Sequence, residues 1–151
     1  MWQDFSDVGL WVKIFFALFC GCLIGIERQV RGKPVGIRTS ILICLGSMLF
    51  IYLGQGLRFP ADISRVLGQL ITGIGFLGAG VILTREGLVM GMTSAAVIWL
   101  LAGIGAAIGL QHYGTALIIS FVALFVLVGV QYFEDIFKTL RRGAHRHFGQ
   151  E

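Results

Sequence analysis

Hydrophobic residues dominate this chain of 151 residues, and polar residues collect in short breaks between long apolar stretches. About 20 consecutive apolar residues are enough to cross the hydrocarbon layer of a bilayer as a helix. The stretch 87–133 contains no Asp, Glu, Lys or Arg, and only a Gln-His-Tyr-Gly break at 111–114 divides it. The pattern predicts an all-α integral membrane protein, a bundle of five transmembrane helices at about 8–26, 39–57, 66–83, 93–110 and 115–133.

Composition supports lipid as the solvent of this chain. Hydrophobic residues make up 56% of it and charged residues 13%, whereas a soluble domain is about a quarter charged. The three cysteines, Cys20, Cys22 and Cys44, all lie in apolar stretches. Their spacing matches no zinc pattern, and an odd number does not suit a disulfide framework. We therefore expect small buried side chains there, with no metal and no cofactor.

The distribution of Lys and Arg predicts an orientation in the membrane. The net charge is +4, but in a membrane protein an excess of cations marks the cytoplasmic side rather than a nucleic-acid site. With five spans, the first loop, the third loop and the tail share one side and hold nine cations, against two or three on the other. The N-terminus is therefore predicted outside. Residues 1–136 form the membrane domain and 137–151 a short basic cytoplasmic tail.

The N-terminus does not resemble a secretory signal peptide. Asp4 and Asp7 precede the first cation, and no small-residue cleavage site follows the first apolar stretch. We expect this stretch to remain in the mature protein.

Charge is concentrated in the segment GIERQVRGKPVGIRTS, 25–40, which follows the first span. Five of the 20 charged residues of the chain fall here: Glu27, Arg28, Arg31, Lys33 and Arg38. An orientation signal would explain the cations but neither the carboxylate nor the surrounding glycines. A carboxylate at the end of a span is expected to pair with a cation, here Arg28, Arg31 or Arg38. A loose surface pair is the alternative, and it would contribute little to stability.

The loop after the first span is predicted to be shaped rather than loose. Gly32, Pro34 and Gly36 restrict its backbone, so its cations could seat anionic lipid headgroups or phosphate. Thr39 begins the second span, and Thr93 and Ser94 begin the fourth at the same membrane level. We predict one site on the cytoplasmic face from these side chains and the charged segment, with Thr93 as a helix N-cap.

Glycine is abundant, with 22 residues, and small residues allow close helix packing in membranes. Gly21 and Gly25 form one GxxxG pair, and Gly105 and Gly109 form another. In the third span, GIGFLGAG places glycine at 73, 75, 78 and 80. That helix either packs tightly on several neighbours or is partly unwound and lines a path. Phe76 and Trp99 are expected to be packing residues. The members of this set are Gly21, Gly25, Gly73, Gly75, Phe76, Gly78, Gly80 and Trp99.

The chain offers little chemistry for catalysis or ion passage. No predicted span carries Asp or Glu at mid-depth, and the sequence contains no Asn. Mg²⁺ prefers oxygen ligands, usually including carboxylates, and a proton relay needs ionisable groups through the bilayer. We therefore predict that the protein is not an enzyme. An ion path would have to use Glu27 and the backbone carbonyls of an unwound GIGFLGAG segment.

Three sequence blocks resemble the MgtC/SapB family of bacterial inner-membrane proteins. They are GIERQVRGKPVGIRTSILICLGSMLF at 25–50, GQLITGIGFLGAGVIL at 68–83 and GMTSAAVIWLLAGIGAAIGL at 91–110. The resemblance covers about 10–130 and implies a multi-pass protein with five spans. The family is linked to growth in scarce magnesium and, in pathogens, to survival inside phagocytes. Many members continue into a soluble cytoplasmic domain, so this chain resembles a short form, and a role in virulence is not implied for it.

The resemblance leaves two functions open. The first is a non-enzymatic regulator of other membrane proteins in low magnesium, with another membrane protein as partner, contact with anionic lipids and a possible homo-oligomer. The second is a transporter or channel for Mg²⁺ or another cation. No partner among nucleic acids is expected. The scarcity of polar groups within the spans favours the regulator.

Overall fold

A computed structural model describes residues 7–55, 61–85 and 88–136. Five helices are present, as predicted, and the break before the fifth falls at 110–112. The helices are α1 (Val8–Val30), α2 (Ile37–Gln55), α3 (Ala61–Ala79), α4 (Met92–Gly109) and α5 (Tyr113–Ile136). The predicted basic tail at 137–151 lies outside the described residues.

Four of the five helices are long and apolar enough to cross a membrane, namely α1, α2, α4 and α5. The apolar part of α3 is shorter and runs from Ile63 to Ala79. Polar residues near its start, among them Ser64, Arg65 and Gln69, reduce its hydropathy. By length and composition, four spans are therefore established in the described chain, and the fifth rests on how α3 packs.

Long-range contacts show that α1 runs antiparallel to both α2 and α4. At one end of the bundle, Arg28 of α1 donates a hydrogen bond to Ser94 in the first turn of α4. We call this end, formed by the last turn of α1, the loop at 31–36 and the first turn of α4, the basic end. At the opposite end, the hydroxyl of Tyr52 in α2 donates to Asp7, which caps α1. The first loop and the start of α4 therefore share one face, as the count of spans predicts.

The two GxxxG pairs bring α1 and α4 against α2 at different heights, α1 near its start and α4 further along. A Cβ at Gly25 would lie 2.6 Å from the Cα of Ile37, and one at Gly21 would lie 2.7 Å from the Cα of Ile41. In α4, a Cβ at Gly105 would collide with the carbonyl of Cys44. A side chain at these positions would collide with the neighbouring backbone, because the helices approach closely there.

The apolar core lies between α1, α2 and α4. Of the residues in the apolar span of α4, 56% are buried, against 17% for α5, so α4 is central and α5 peripheral. The Sγ of Cys44 contacts the carbonyl oxygen of Leu101 at 3.4 Å and links α2 to α4. Cys20 and Cys44 are buried and free, as predicted. The largest fully buried apolar side chains are Ile24, Met48, Ile51, Ile98, Leu101, Ile104 and Ile108.

A β-hairpin follows α3, so the prediction of an all-α protein is wrong at this point. Strands β1 (Leu83–Arg85) and β2 (Leu88–Met90) pair antiparallel, with Leu83 opposite Met90. Gly91 then begins α4 with φ +90°, a conformation that glycine adopts without strain. The hairpin lies almost entirely in the loop that the sequence pattern left between the third and fourth spans, at 84–92.

Candidate functional site

The last turn of α1 buries two charged residues. Glu27 is 7% exposed and Arg28 is 4% exposed. Both continue the stripe of α1 that faces the core, because residues three and four apart share one side of a helix. The stripe begins with small and apolar side chains and ends with charge. The buried residues of this stripe that follow Lys13 along α1 are Ala17, Cys20, Gly21, Ile24, Gly25, Glu27 and Arg28.

Four side chains from α1, the residue after it and α4 form what we call the polar cluster: Glu27, Arg28, Arg31 and Ser94. The Nε of Arg31 lies 2.7 Å from Oε1 of Glu27, and Nη1 of Arg28 lies 4.0 Å from Oε2. The Nη2 of Arg28 donates to Oγ of Ser94 at 2.8 Å. The carboxylate therefore pairs within its own helix and loop, while Arg28 makes the link between α1 and α4.

The polar cluster has unused hydrogen-bonding capacity. Neither oxygen of Glu27 accepts a hydrogen bond from any described residue, and the Nε of Arg28 donates none. The short contact with Arg31 brings opposite charges together, but its N–H does not point at the carboxylate oxygen. An unsatisfied buried polar group costs about 1–3 kcal/mol, more if charged. The cluster is therefore a place where additional donors would bind favourably.

The loop at 31–36 is held in a defined conformation, as its glycines and proline predict. Gly32 and Val35 have φ of +60° and +68°. The side chain of Gln29 accepts a hydrogen bond from the backbone N–H of Ile37 at the start of α2. The hydroxyl of Ser40 donates to the carbonyl of Val35. Sequence reasoning missed Gln29, whose position two residues before the loop was the available signal.

The other predicted members of the cytoplasmic-face site surround the polar cluster without joining it. They are exposed: Gly32, Lys33, Arg38, Thr39 and Thr93. The prediction that Thr93 is the N-cap of the fourth span is wrong, because Gly91 occupies that position and α4 has no side-chain cap. The N-cap therefore lies two residues earlier than the sequence pattern suggested.

The GIGFLGAG segment is helical through Ala79, so an unwound backbone is not observed there. Within the described chain, nothing lies within 4 Å of a Cβ built at Gly73 or Gly75, whereas Gly78 is buried beside Ala95 of α4. Gly80 follows the helix end and its N–H donates to the carbonyl of Phe76. Within a single chain, this segment of α3 therefore packs tightly only on the side of the helix that carries Gly78.

Two aromatic residues predicted to be packing residues lie on the surface of the single chain. Phe76 is 83% exposed and Trp99 is 57% exposed. Trp99 lines an apolar crevice of about 560 Å³ between α3, α4 and α5. Ile74, Gly103, Ala107 and Ile119 form part of its walls. The crevice faces outward because α3 packs on α4 and leaves a gap towards α5.

Charged groups that are buried in the described chain lie near the ends of the bundle. Lys13 is near the end opposite the polar cluster, 5.0 Å from the ring centroid of Tyr52. The buried polar side chains between the ends include Ser47 and Ser120, and the Ser120 hydroxyl donates to the carbonyl of Ala116. Among the described residues, no three His, Cys, Asp or Glu side chains come together where they could hold a metal ion.

A bundle of apolar helices with charge gathered at its ends is the architecture of an integral membrane protein. Comparison with known families identifies the group within that class: residues 14–136 match the MgtC family, and the chain belongs to it. The resemblance of the three sequence blocks to this family is thereby confirmed.

Curated relatives support the same family. The chain is 43% identical to "Putative magnesium transporter YhiD" of Escherichia coli K12 over 76% of its own length and 56% of that protein. It is 41% identical to "Protein MgtC" of Salmonella typhimurium over 75% of its length and 48% of that protein. It is 34% identical to "Protein SapB" of Bacillus subtilis over 85% and 58%. The chain thus spans about half the length of these relatives, and no solved structure matches it.

Proposed function

We propose that the protein is a non-enzymatic regulator of another membrane protein in the bacterial inner membrane, active in adaptation to low magnesium. One observation carries this proposal: its buried charged groups lie near the ends of the bundle. The polar cluster links α1 to α4 at the basic end, and Ser47 and Ser120 supply buried polar groups between the ends. An ion path through lipid depth usually carries ionisable groups or open backbone carbonyls.

The same proposal includes five spans, with α3 as the fifth. Val66, near the start of α3, lies beside Gly54 at the end of α2, and Gly78 lies beside Ala95 at the start of α4. The helix therefore runs from the end that carries Tyr52 to the basic end. A helix that follows the full height of its neighbours crosses the same layer that they cross.

The cytoplasm is the side to which we assign the basic end. The first loop holds Arg31, Lys33 and Arg38, and the positive-inside rule places such loops in the cytoplasm. The N-terminus then lies outside and the tail inside. The exposed cations of the basic end also suit contact with anionic lipids, at about 1 kcal/mol for each Lys or Arg.

The crevice between α3, α4 and α5 is the surface we assign to the partner. Its walls combine large apolar side chains with Gly103 and four alanines, among them Ala106 and Ala107, so a transmembrane helix could approach closely. Trp99 at its edge would supply a large contact area. A second copy of this chain is an alternative occupant.

Flux and crosslinking together test the proposal. In the first arm, purified protein in liposomes is tested for Mg²⁺ entry against empty vesicles and against Glu27→Gln. No saturable flux is expected from the folded protein. In the second arm, a photocrosslinking amino acid replaces Trp99 in cells grown in low magnesium. The control position is Phe125, which is 74% exposed on α5 outside the crevice.

A discrete adduct with another membrane protein at position 99, absent at 125, is the expected result. Saturable Mg²⁺ flux that is lost in Glu27→Gln would overturn the regulator and establish the alternative, a cation transporter. That alternative is retained because the relative from Escherichia coli is named a putative magnesium transporter. Equal crosslinking at positions 99 and 125 would show that the crevice is not the surface that binds the partner.

A further inference from the structure

A second apolar crevice, of about 340 Å³, lies between α1 and α5 next to the polar cluster. Its apolar walls are Leu23, Ile26, Val30, Leu124 and Val128. Ile26 is 47% exposed and Val30 is 81% exposed, so the crevice opens outward from the bundle. In a membrane this opening faces acyl chains.

Two charged members of the polar cluster close this crevice at the basic end. Glu27 and Arg31 both line it. The Glu27 side chain is 5% exposed, and neither of its oxygens has a hydrogen-bond donor among the described residues. The side chain of Arg31 is 26% exposed, so part of it can be reached by a ligand at the crevice mouth. The apolar crevice therefore ends at the carboxylate of Glu27, which accepts no hydrogen bond from the described residues. The partly exposed side chain of Arg31 lies beside it.

We propose that this crevice binds a phosphatidylglycerol molecule from the bilayer. One acyl chain would lie between α1 and α5, the phosphate would contact Arg31, and the glycerol hydroxyls would donate to Glu27. The proposal requires only that α1 and α5 cross the membrane. It goes beyond the proposed function, because it holds whether the protein regulates a partner or transports an ion.

The chemistry of the polar cluster favours this headgroup over other phospholipid headgroups. Two guanidinium groups and one carboxylate make up the charged part of the polar cluster, so it attracts an anionic headgroup more strongly than a zwitterionic one. A guanidinium binds phosphate oxygens through strong charge-assisted hydrogen bonds. Hydroxyl groups are the donors that the Glu27 oxygens lack. Phosphatidic acid offers the phosphate without the glycerol hydroxyls, and phosphatidylcholine offers no donors at all.

Thermal unfolding in a neutral detergent with added lipid tests the proposal. Phosphatidylglycerol should raise the Tm by roughly 5 °C at saturation, because a ligand that binds only the folded state stabilises it. Phosphatidic acid should act more weakly despite its charge, and phosphatidylcholine should not act. Soluble glycerol 3-phosphate should also have no effect, because it lacks the acyl chain. If phosphatidic acid matches or exceeds phosphatidylglycerol, the role of the glycerol hydroxyls is refuted.

A matched pair of charge variants separates this site from general attraction to anionic lipid. Arg31→Gln should raise the phosphatidylglycerol concentration needed for half the Tm shift about tenfold, since it removes a charged hydrogen-bond partner. Lys33→Gln removes one cation from the same loop, but Lys33 is exposed and does not line the crevice. It should leave the titration unchanged. Equal effects of the two substitutions would overturn the proposal.

A second pair of variants leaves the polar cluster intact, in case Arg31→Gln impairs folding. Val128→Trp fills the crevice from the α5 side and should abolish the shift caused by phosphatidylglycerol. Val126→Trp places the same side chain on α5 at a position that is 50% exposed and outside the crevice. It should keep the shift. A full shift in Val128→Trp would show that the lipid binds elsewhere.

Discussion

Ser94 is the residue whose role is clearest at the scale of single side chains. Its hydroxyl accepts the hydrogen bond from Arg28, which is nine-tenths buried and comes from another helix. The sequence indicated that Ser94 and the charged segment lie at one membrane level, because both border spans at the same side. It could not indicate that Arg28 rather than Glu27 makes the link. That choice depends on the rotation of α1 about its axis, which the packing against α2 determines.

Ser94→Ala should destabilise the protein by about 1 kcal/mol, because Arg28 loses its acceptor while remaining buried. Unfolding by titration with a denaturing detergent would measure the change. Thr93→Ala is the matched control, since Thr93 is exposed in the same turn. The control should stay within about 0.5 kcal/mol of the unmodified chain. An equal loss in both variants would mean that the effect is one of helix initiation rather than of the hydrogen bond.

The helical elements depend on glycine only where two backbones meet. Gly105 in α4 lies against the carbonyl of Cys44, whereas nothing in the described chain lies within 4 Å of a Cβ at Gly103. The sequence alone indicated that the GxxxG pair Gly105 and Gly109 is a packing motif, and both glycines lie against α2. It did not predict that Gly73 and Gly75 in α3 face open space, because a glycine-rich helix has no hydrophobic pattern that marks its buried side.

Gly105→Leu should therefore destabilise the bundle by about 1–3 kcal/mol or more, because a backbone carbonyl cannot move aside as a side chain can. Gly103→Leu, two residues away in the same helix, should be tolerated. Both can be compared by the fraction that remains folded and monodisperse after purification and by detergent-induced unfolding. If both variants lose stability to a similar extent, a molecule bound in the crevice beside Gly103 also requires a glycine at that position.

The contact between α1 and α2 at the end opposite the basic end should make stability depend on pH. The hydrogen bond from Tyr52 lowers the pKa of Asp7 below its ordinary value of 3.8. A carboxyl with a lowered pKa stabilises the folded state fully above its unfolded pKa and loses that contribution as pH falls through the folded pKa. Its contribution is thus complete at neutral pH and declines below about pH 3.8.

Tyr52→Phe should lower the Tm at pH 7, and the difference from the unmodified chain should shrink as the pH is brought below 3.8. Asp7→Asn should show the same convergence at low pH. Thermal unfolding at a series of pH values measures both. A difference that does not vary with pH would show that Tyr52 contributes through contacts other than its hydrogen bond to Asp7, such as the one with Lys13.

The arrangement of the whole molecule predicts which loops share a side of the membrane. The polar cluster joins the first loop to the start of α4, which requires α3 to cross between them. Single cysteines at Lys33, Val89 and Gln111, in a chain whose three native cysteines are replaced by serine, would report this in spheroplasts.

Positions 33 and 89 should react with a membrane-impermeant reagent only after the membrane is opened, and position 111 should react before. Reaction of 33 and 89 from opposite sides would mean that α3 does not cross. Reaction of 33 and 89 before opening, with 111 protected, would reverse the proposed orientation while leaving the five spans intact.

The sequence by itself determined the class of the protein, its five helices, the packing glycines of α1 and α4 and the family. These follow from local composition and spacing, since an apolar stretch of span length leaves a chain few alternatives in lipid. The tertiary structure decided which charged groups are buried, that Phe76 and Trp99 face outward, and where the two crevices lie. Those features depend on the rotation of each helix and on the gaps between helices, and neither is encoded in the pattern of any single span.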